Sequence, residues 1–200
     1  MKRTVSIITA LLLTFSCIDA QTTKVDALIQ KRAKEKVALM LNYISQMSDK
    51  KKDISTRKYY KKKALNLYIG AGESYPLHGV TYEPVKMQVS SIRTNQIKNI
   101  PISDYFERLI NYNYSAVKIT YTEVADMKVS DLKKIDDGLY QCTVQYVQIF
   151  QGYRDGKLRY ADKTVKRVVC YVKERQTVDG EEYVILLGDT HCEQTEPLDN

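Results

Sequence analysis

The chain has 200 residues, 31 Lys and Arg against 24 Asp and Glu, and a formal net charge of +7. That length suits one domain plus a targeting segment. The charge is local, with eight Lys or Arg against two Asp within residues 48–63 and the rest of the chain near neutral, and the export pattern at the N-terminus argues against nucleic acid as its target.

Lys2 and Arg3 precede an apolar run over residues 5–15, followed by small residues up to Ala20. This is the pattern of a signal peptide cleaved before Gln21. The alternative is a lipid anchor on Cys17, which Thr14 and Phe15 suit poorly. The expected arrangement is a leader over 1–20 and one exported domain over 21–200, secreted or periplasmic, with no further apolar run long enough to anchor it.

From Val25 to Met47, apolar residues recur in steps of three and four, which predicts one long amphipathic helix. Asp53 or Ser55 caps a second helix, with Tyr60, Ala64 and Leu67 on its buried face and Gly70 as its stop. Val85, Met87 and Val89 alternate with polar residues, as in a strand. Phe106, Leu109 and Ile110 mark a short third helix. The remainder reads as four strands: one beginning at Val117, Ile119 and Tyr121, then long runs over 139–151, 160–174 and 182–194. Asp137-Gly138, Asp155-Gly156 and Asp179-Gly180 supply the hairpin turns.

The expected class is α+β, with N-terminal helices packed on a strongly curved antiparallel sheet in the order α-α-β-α-β-β-β-β. This order, with strands well beyond the usual five or six residues, resembles the nuclear transport factor 2-like superfamily, the cone fold shared with ketosteroid isomerases. A cystatin-like wrapped helix is the nearest alternative. The resemblance implies a pocket between the helices and the concave sheet. It carries over no catalytic residue, because the isomerases' carboxylates have no recognisable counterpart here.

Three residues are pocket candidates. Glu123 continues the odd-numbered side of Val117, Ile119 and Tyr121, and a carboxylate on a core face suits a general base. A bulge at Glu123-Val124 would instead turn the acid outward. Tyr121 shares its face and offers a phenol. His191, beside Asp189 and Cys192 on the last strand, is one of only two histidines.

On the second helix, Arg57, Lys58, Lys61 and Lys62 share a flank beside the apolar stripe. They form either a solvated face or a docking surface for anionic envelope material. Two-residue turns would set Cys142 opposite 169 and Cys170 opposite 189, leaving Cys142, Cys170 and Cys192 as free thiols. A one-residue bulge at the first turn would bring Cys142 to Cys170.

No metal-ligand spacing and no cofactor motif is present. The leading expectation is a non-catalytic binding or interaction module for a small molecule or an envelope component. The alternatives are a small-substrate isomerase or lyase-like enzyme using Glu123, and an envelope scaffold that dimerises through its open sheet face.

Overall fold

The computed structural model describes residues 5–94, 96–178 and 180–198, with side chains described from Lys24 onward except at Glu181. The start of the expected leader, and the side chains of the rest of it with Cys17, lie outside the described residues, as does Asp179 of the third Asp-Gly pair. Among the described residues, no helix is long and apolar enough to cross a membrane.

Helix α1 (Val5–Ser48) buries Ile29, Ala33, Val37, Met40, Leu41, Ile44 and Met47 in one stripe. Helix α2 (Ile54–Leu65) starts at Asp53, whose carboxylate accepts the Thr56 amide at 2.8 Å. A 3-10 turn at Ile69–Gly72 follows, then a small hairpin of β1 (Tyr75–Leu77) and β2 (Val80–Tyr82). Strands β3 (Lys86–Ser91) and β4 (Gln96–Pro101) lead into α3 (Ile102–Asn111), which buries Tyr105, Phe106, Leu109 and Ile110.

Strand β5 (Ala116–Tyr121) and two short segments, β6 (Lys128–Val129) and β7 (Lys133–Asp136), all pair with β8 (Leu139–Arg154). Strands β9 (Lys157–Thr177) and β10 (Gly180–Pro197) complete a sheet of order β4-β3-β10-β9-β8-β5.

The α+β class and the long meander are as expected, and the β1–β2 hairpin, β4 and the short β6 and β7 are additional. The β1–β2 hairpin and β4 show little alternation of buried and exposed positions, since β4 buries only Ile100 fully. Such edge strands carry no period-2 signal. The sheet is also not wholly antiparallel, because β3 lies parallel to β10 with Met87 beside Thr190. A bulge in β10 between Leu187 and Thr190 makes room for this, and there Asp189 accepts the Lys86 amide at 2.7 Å.

The first hairpin turns at Asp155-Gly156 as expected, but Arg159 is an extra residue: Tyr153 faces Leu158 while Gly152 faces Tyr160. That bulge sets Cys142 opposite Cys170. The second turn closes Thr177 on Gly180, one residue earlier than expected, so Cys170 faces Leu187. Cys142, Cys170 and Cys192 are free and buried.

One face of the meander therefore carries Cys142, Val144, Tyr146, Gln148 and Phe150 from β8 and Asp162, Thr164, Lys166, Val168, Cys170 and Val172 from β9, almost all buried. Helix α1 packs on this face, and Tyr105 of α3 reaches over it to Lys166. At the α1 end it is apolar, and toward the β8–β9 turn its residues become polar. That change of chemistry along a single face positions the site.

Candidate functional site

Opposed positions on β8, β9 and β10 form rows across the sheet: Tyr146–Lys166–Cys192, Gln148–Thr164–Thr195 and Phe150–Asp162–Pro197. Above them stand Tyr105 from α3 and Tyr112 and Tyr114 from the segment that follows it. Together with Val89, Ser90, Ser91 and Arg93 they enclose a cavity of about 310 Å³.

The cavity has an aromatic wall. Phe150 meets Tyr112, Tyr114 and Tyr160 edge-on, with ring centroids 5.8, 6.0 and 6.0 Å away. The Tyr114 ring lies against Gly152, where a Cβ would come within 2.7 Å of it, so the wall needs a glycine there. The Tyr112–Ser115 segment is strapped to the hairpin tip by the Ser115 amide on the Tyr153 carbonyl at 2.9 Å.

The floor is polar and poorly satisfied. Gln148 is 7% exposed, and its Oε1 has no hydrogen-bond partner among the described residues. Lys166 is 3% exposed; its amine donates to the Gln88 carbonyl at 3.4 Å and faces the Met87 sulfur at 3.7 Å. Burial pushes the Lys166 amine below its ordinary range.

Asp162 is 5% exposed, and burial raises its carboxyl above the usual carboxylate range, partly offset by the hydrogen bond from Tyr160. The Tyr160 hydroxyl donates to Asp162 Oδ2 at 2.5 Å, and burial with that carboxylate pushes the phenol up to about 12. Unsatisfied buried polar atoms on a cavity wall demand a partner, supplied by water or by a ligand.

The sequence-predicted candidates fall elsewhere. Strand β5 ends at Tyr121, and the chain leaves the sheet through a 3-10 turn at Val124–Asp126. Glu123 is exposed at the start of that turn and does not line the cavity. The strand breaks before the alternation can carry the acid inward. Tyr121 lies opposite Gln148 on the concave side and packs on the core beside the cavity, outside its lining. His191 sits opposite Arg167, one residue out of phase with buried Cys192, on the convex face.

The basic block is divided. The Arg57 guanidinium donates to the Ile110 carbonyl at 2.8 Å, and the Lys50 amine to the same oxygen at 2.9 Å. Both cations thus meet the negative end of α3. Lys61 pairs with Glu107 at 2.8 Å, while Lys58 and Lys62 are exposed.

The polar lining was missed although a signal was present: Asp162, Thr164 and Lys166 hold the same parity as Val168, Cys170 and Val172. Among the described residues, no group of three or more His, Cys, Asp and Glu side chains is arranged to hold a metal ion.

The chain matches no family model and no curated protein sequence. Among solved structures, it is similar to a provisionally assigned scytalone dehydratase from Novosphingobium aromaticivorans. The identity is 12%, the TM-score 0.41, and 88% of this chain and 93% of that one are covered. It is also similar to a Kribbella flavida protein at 15% identity and a TM-score of 0.37, covering 87% of this chain and 95% of that one. Both likenesses are loose, and the site rests on this chain's own geometry.

Proposed function

We propose that the protein is a small-molecule binding module whose ligand occupies the cavity between the β8–β9 floor and the wall of Tyr112, Tyr114, Phe150 and Tyr160. The observation that carries this is the Gln148 Oε1, buried on the cavity floor without a partner among the described residues. Such an atom costs stability unless something fills the space above it. Aromatic walls with a few convergent polar groups are how proteins bury small ligands. An amide-resolved NMR screen of a fragment library tests this. Hits should shift Tyr112, Gln148, Thr164 and Lys166 together, and hits scattered over the surface would sink the reading.

A second reading is favoured by one pair. Burial raises the Asp162 carboxyl above the usual range while its Oδ2 accepts the Tyr160 hydroxyl, so a pocket carboxylate suited to acid–base work is present at Asp162 rather than at Glu123.

Export belongs to the same proposal. The leader pattern over 1–20 supports it, and the intact mass of the secreted protein, starting at Gln21, tests it. Dimerisation through the sheet would use the convex face, where half-buried Val165 and Val169 alternate with exposed Lys163 and Arg167. Docking to anionic envelope material would fall to Lys58 and Lys62, the two exposed members of the basic flank.

A further inference from the structure

We infer that the cavity's ligand is an anion, with an aromatic or apolar body inside the cavity and a carboxylate or phosphate at its mouth. The inference deepens the binding reading above and rests on it.

Three arginines surround a space that adjoins the cavity. Arg93, in the β3–β4 turn, stands over the Tyr160 ring at 5.2 Å and donates to the Arg159 carbonyl. Arg154, at the end of β8, donates through one nitrogen to the Asn113 carbonyl at 3.0 Å. Arg159 is the extra residue of the β9 bulge, and bulges beside sites re-aim a side chain. With Asn113 and Tyr114 they surround an open space of about 540 Å³, and Arg93 and Tyr114 line this space and the cavity alike. The two spaces are therefore neighbours sharing a wall.

Charge balance points the same way. Among the described residues, none of the three guanidiniums has a carboxylate within ion-pair distance. Unpaired cations are common on this chain, with five Lys or Arg in ion pairs among the described residues; what sets these three apart is that they surround one space. Three unneutralised forks at the rim of an aromatic cavity suit an oxyanion, which guanidinium groups bind through paired, charge-assisted hydrogen bonds. Asp162, the carboxylate of the cavity lining, is tied to Tyr160 by a hydrogen bond. The polar floor, Gln148 and Lys166, is left for a hydrogen-bonding group at the ligand's inner end.

Matched probes test this by calorimetry on the full-length protein: naphthamide, naphthoate, naphthyl phosphate and inorganic phosphate. At least one of the two aromatic anions should bind about tenfold tighter than neutral naphthamide, and added salt should erode that advantage. Which anion gains more distinguishes a carboxylate from a phosphate ligand.

In Arg154→Gln and Arg159→Gln the advantage should shrink, while naphthamide affinity stays within about twofold, because neither side chain lines the cavity; in Arg93→Gln, which does line it, the advantage should shrink as well. All three side chains are exposed, and an unchanged melting temperature would confirm that each variant folds. Equal binding of naphthoate, naphthyl phosphate and naphthamide, indifferent to the arginines, would overturn the inference and leave the binding module standing. Inorganic phosphate binding as tightly as naphthyl phosphate would also overturn it, since the rim would then hold an ion without the cavity. Failure of every aromatic probe would count against the cavity itself.

Discussion

Lys166 places an ammonium beside Met87 and the Tyr105 ring, with the Gln88 carbonyl and the Met87 thioether as its partners among the described residues. A buried cation held so thinly costs stability, because the water it leaves is not replaced. Lys166→Met should therefore raise the free energy of unfolding at neutral pH by about 1 kcal/mol or more, measured by urea denaturation, while weakening ligand binding. A loss of stability would mean that the amine is better satisfied than its contacts imply. Since burial lowers this amine's native pKa, the penalty fades as pH rises through that value toward the ordinary lysine range.

Asp162 works with the opposite sign. Its raised native pKa means that the folded state keeps the proton longer, so its stabilising contribution is complete at acid pH and is lost as pH climbs from the unfolded value through the folded one. Asp162→Asn should flatten stability against pH in that mildly acidic window. An unchanged profile would show that the carboxylate is ordinary.

At the scale of elements, the basic block is chiefly a device for seating α3. Lys50 and Arg57 reach the same carbonyl at its C-terminal end. Arg57→Ala should cost roughly 1–2 kcal/mol, whereas Lys58→Glu with Lys62→Glu should stay within about 0.5 kcal/mol of wild type, both read from chemical denaturation. The flank was legible from the helical spacing of the four residues. That two of them serve another helix was not, because Ile110 and Glu107 lie some fifty residues away and no periodicity reports such a meeting.

The hairpin register was partly legible in the same way. The Asp155-Gly156 turn appears as read, yet the extra residue at Arg159 shifts every pair beyond it and sets Cys142 against Cys170. Directly opposed Cα atoms lie about 4.5–5.5 Å apart, within disulfide range. The thiol oxidant diamide should therefore link these two cysteines and leave Cys192 unlinked, as peptide mapping would show. A bond to Cys192 would contradict the register.

Across the whole molecule, the helices and the long strands could be read from the chain because their periods of 3.6 and 2 are carried by many residues at once. The site could not. For Glu123 the alternation of β5 and a break at Glu123-Val124 give opposite directions, and the sequence does not choose between them because a strand's end is set by what it pairs with rather than by its own pattern. Asp162, Thr164 and Lys166 were passed over because polar residues in a strand are ordinarily outward. Their parity with Val168 and Cys170 is what places them on the concave face, at the stretch of sheet beyond α1. The fold thus sets apolar residues where α1 packs and polar ones beneath Tyr105, Tyr112 and Tyr114, and the cavity is the space between.

That claim is tested most directly by blocking the space. Thr164 is 3% exposed on the cavity floor, opposite Gln148, so Thr164→Phe sends a ring into the cavity and leaves the α1 core alone. Fragments that shift the Tyr112, Gln148 and Lys166 amides of the wild-type protein should produce no such shifts in a folded Thr164→Phe protein. If the same fragments bind the blocked protein with undiminished affinity, the cavity is not the binding site.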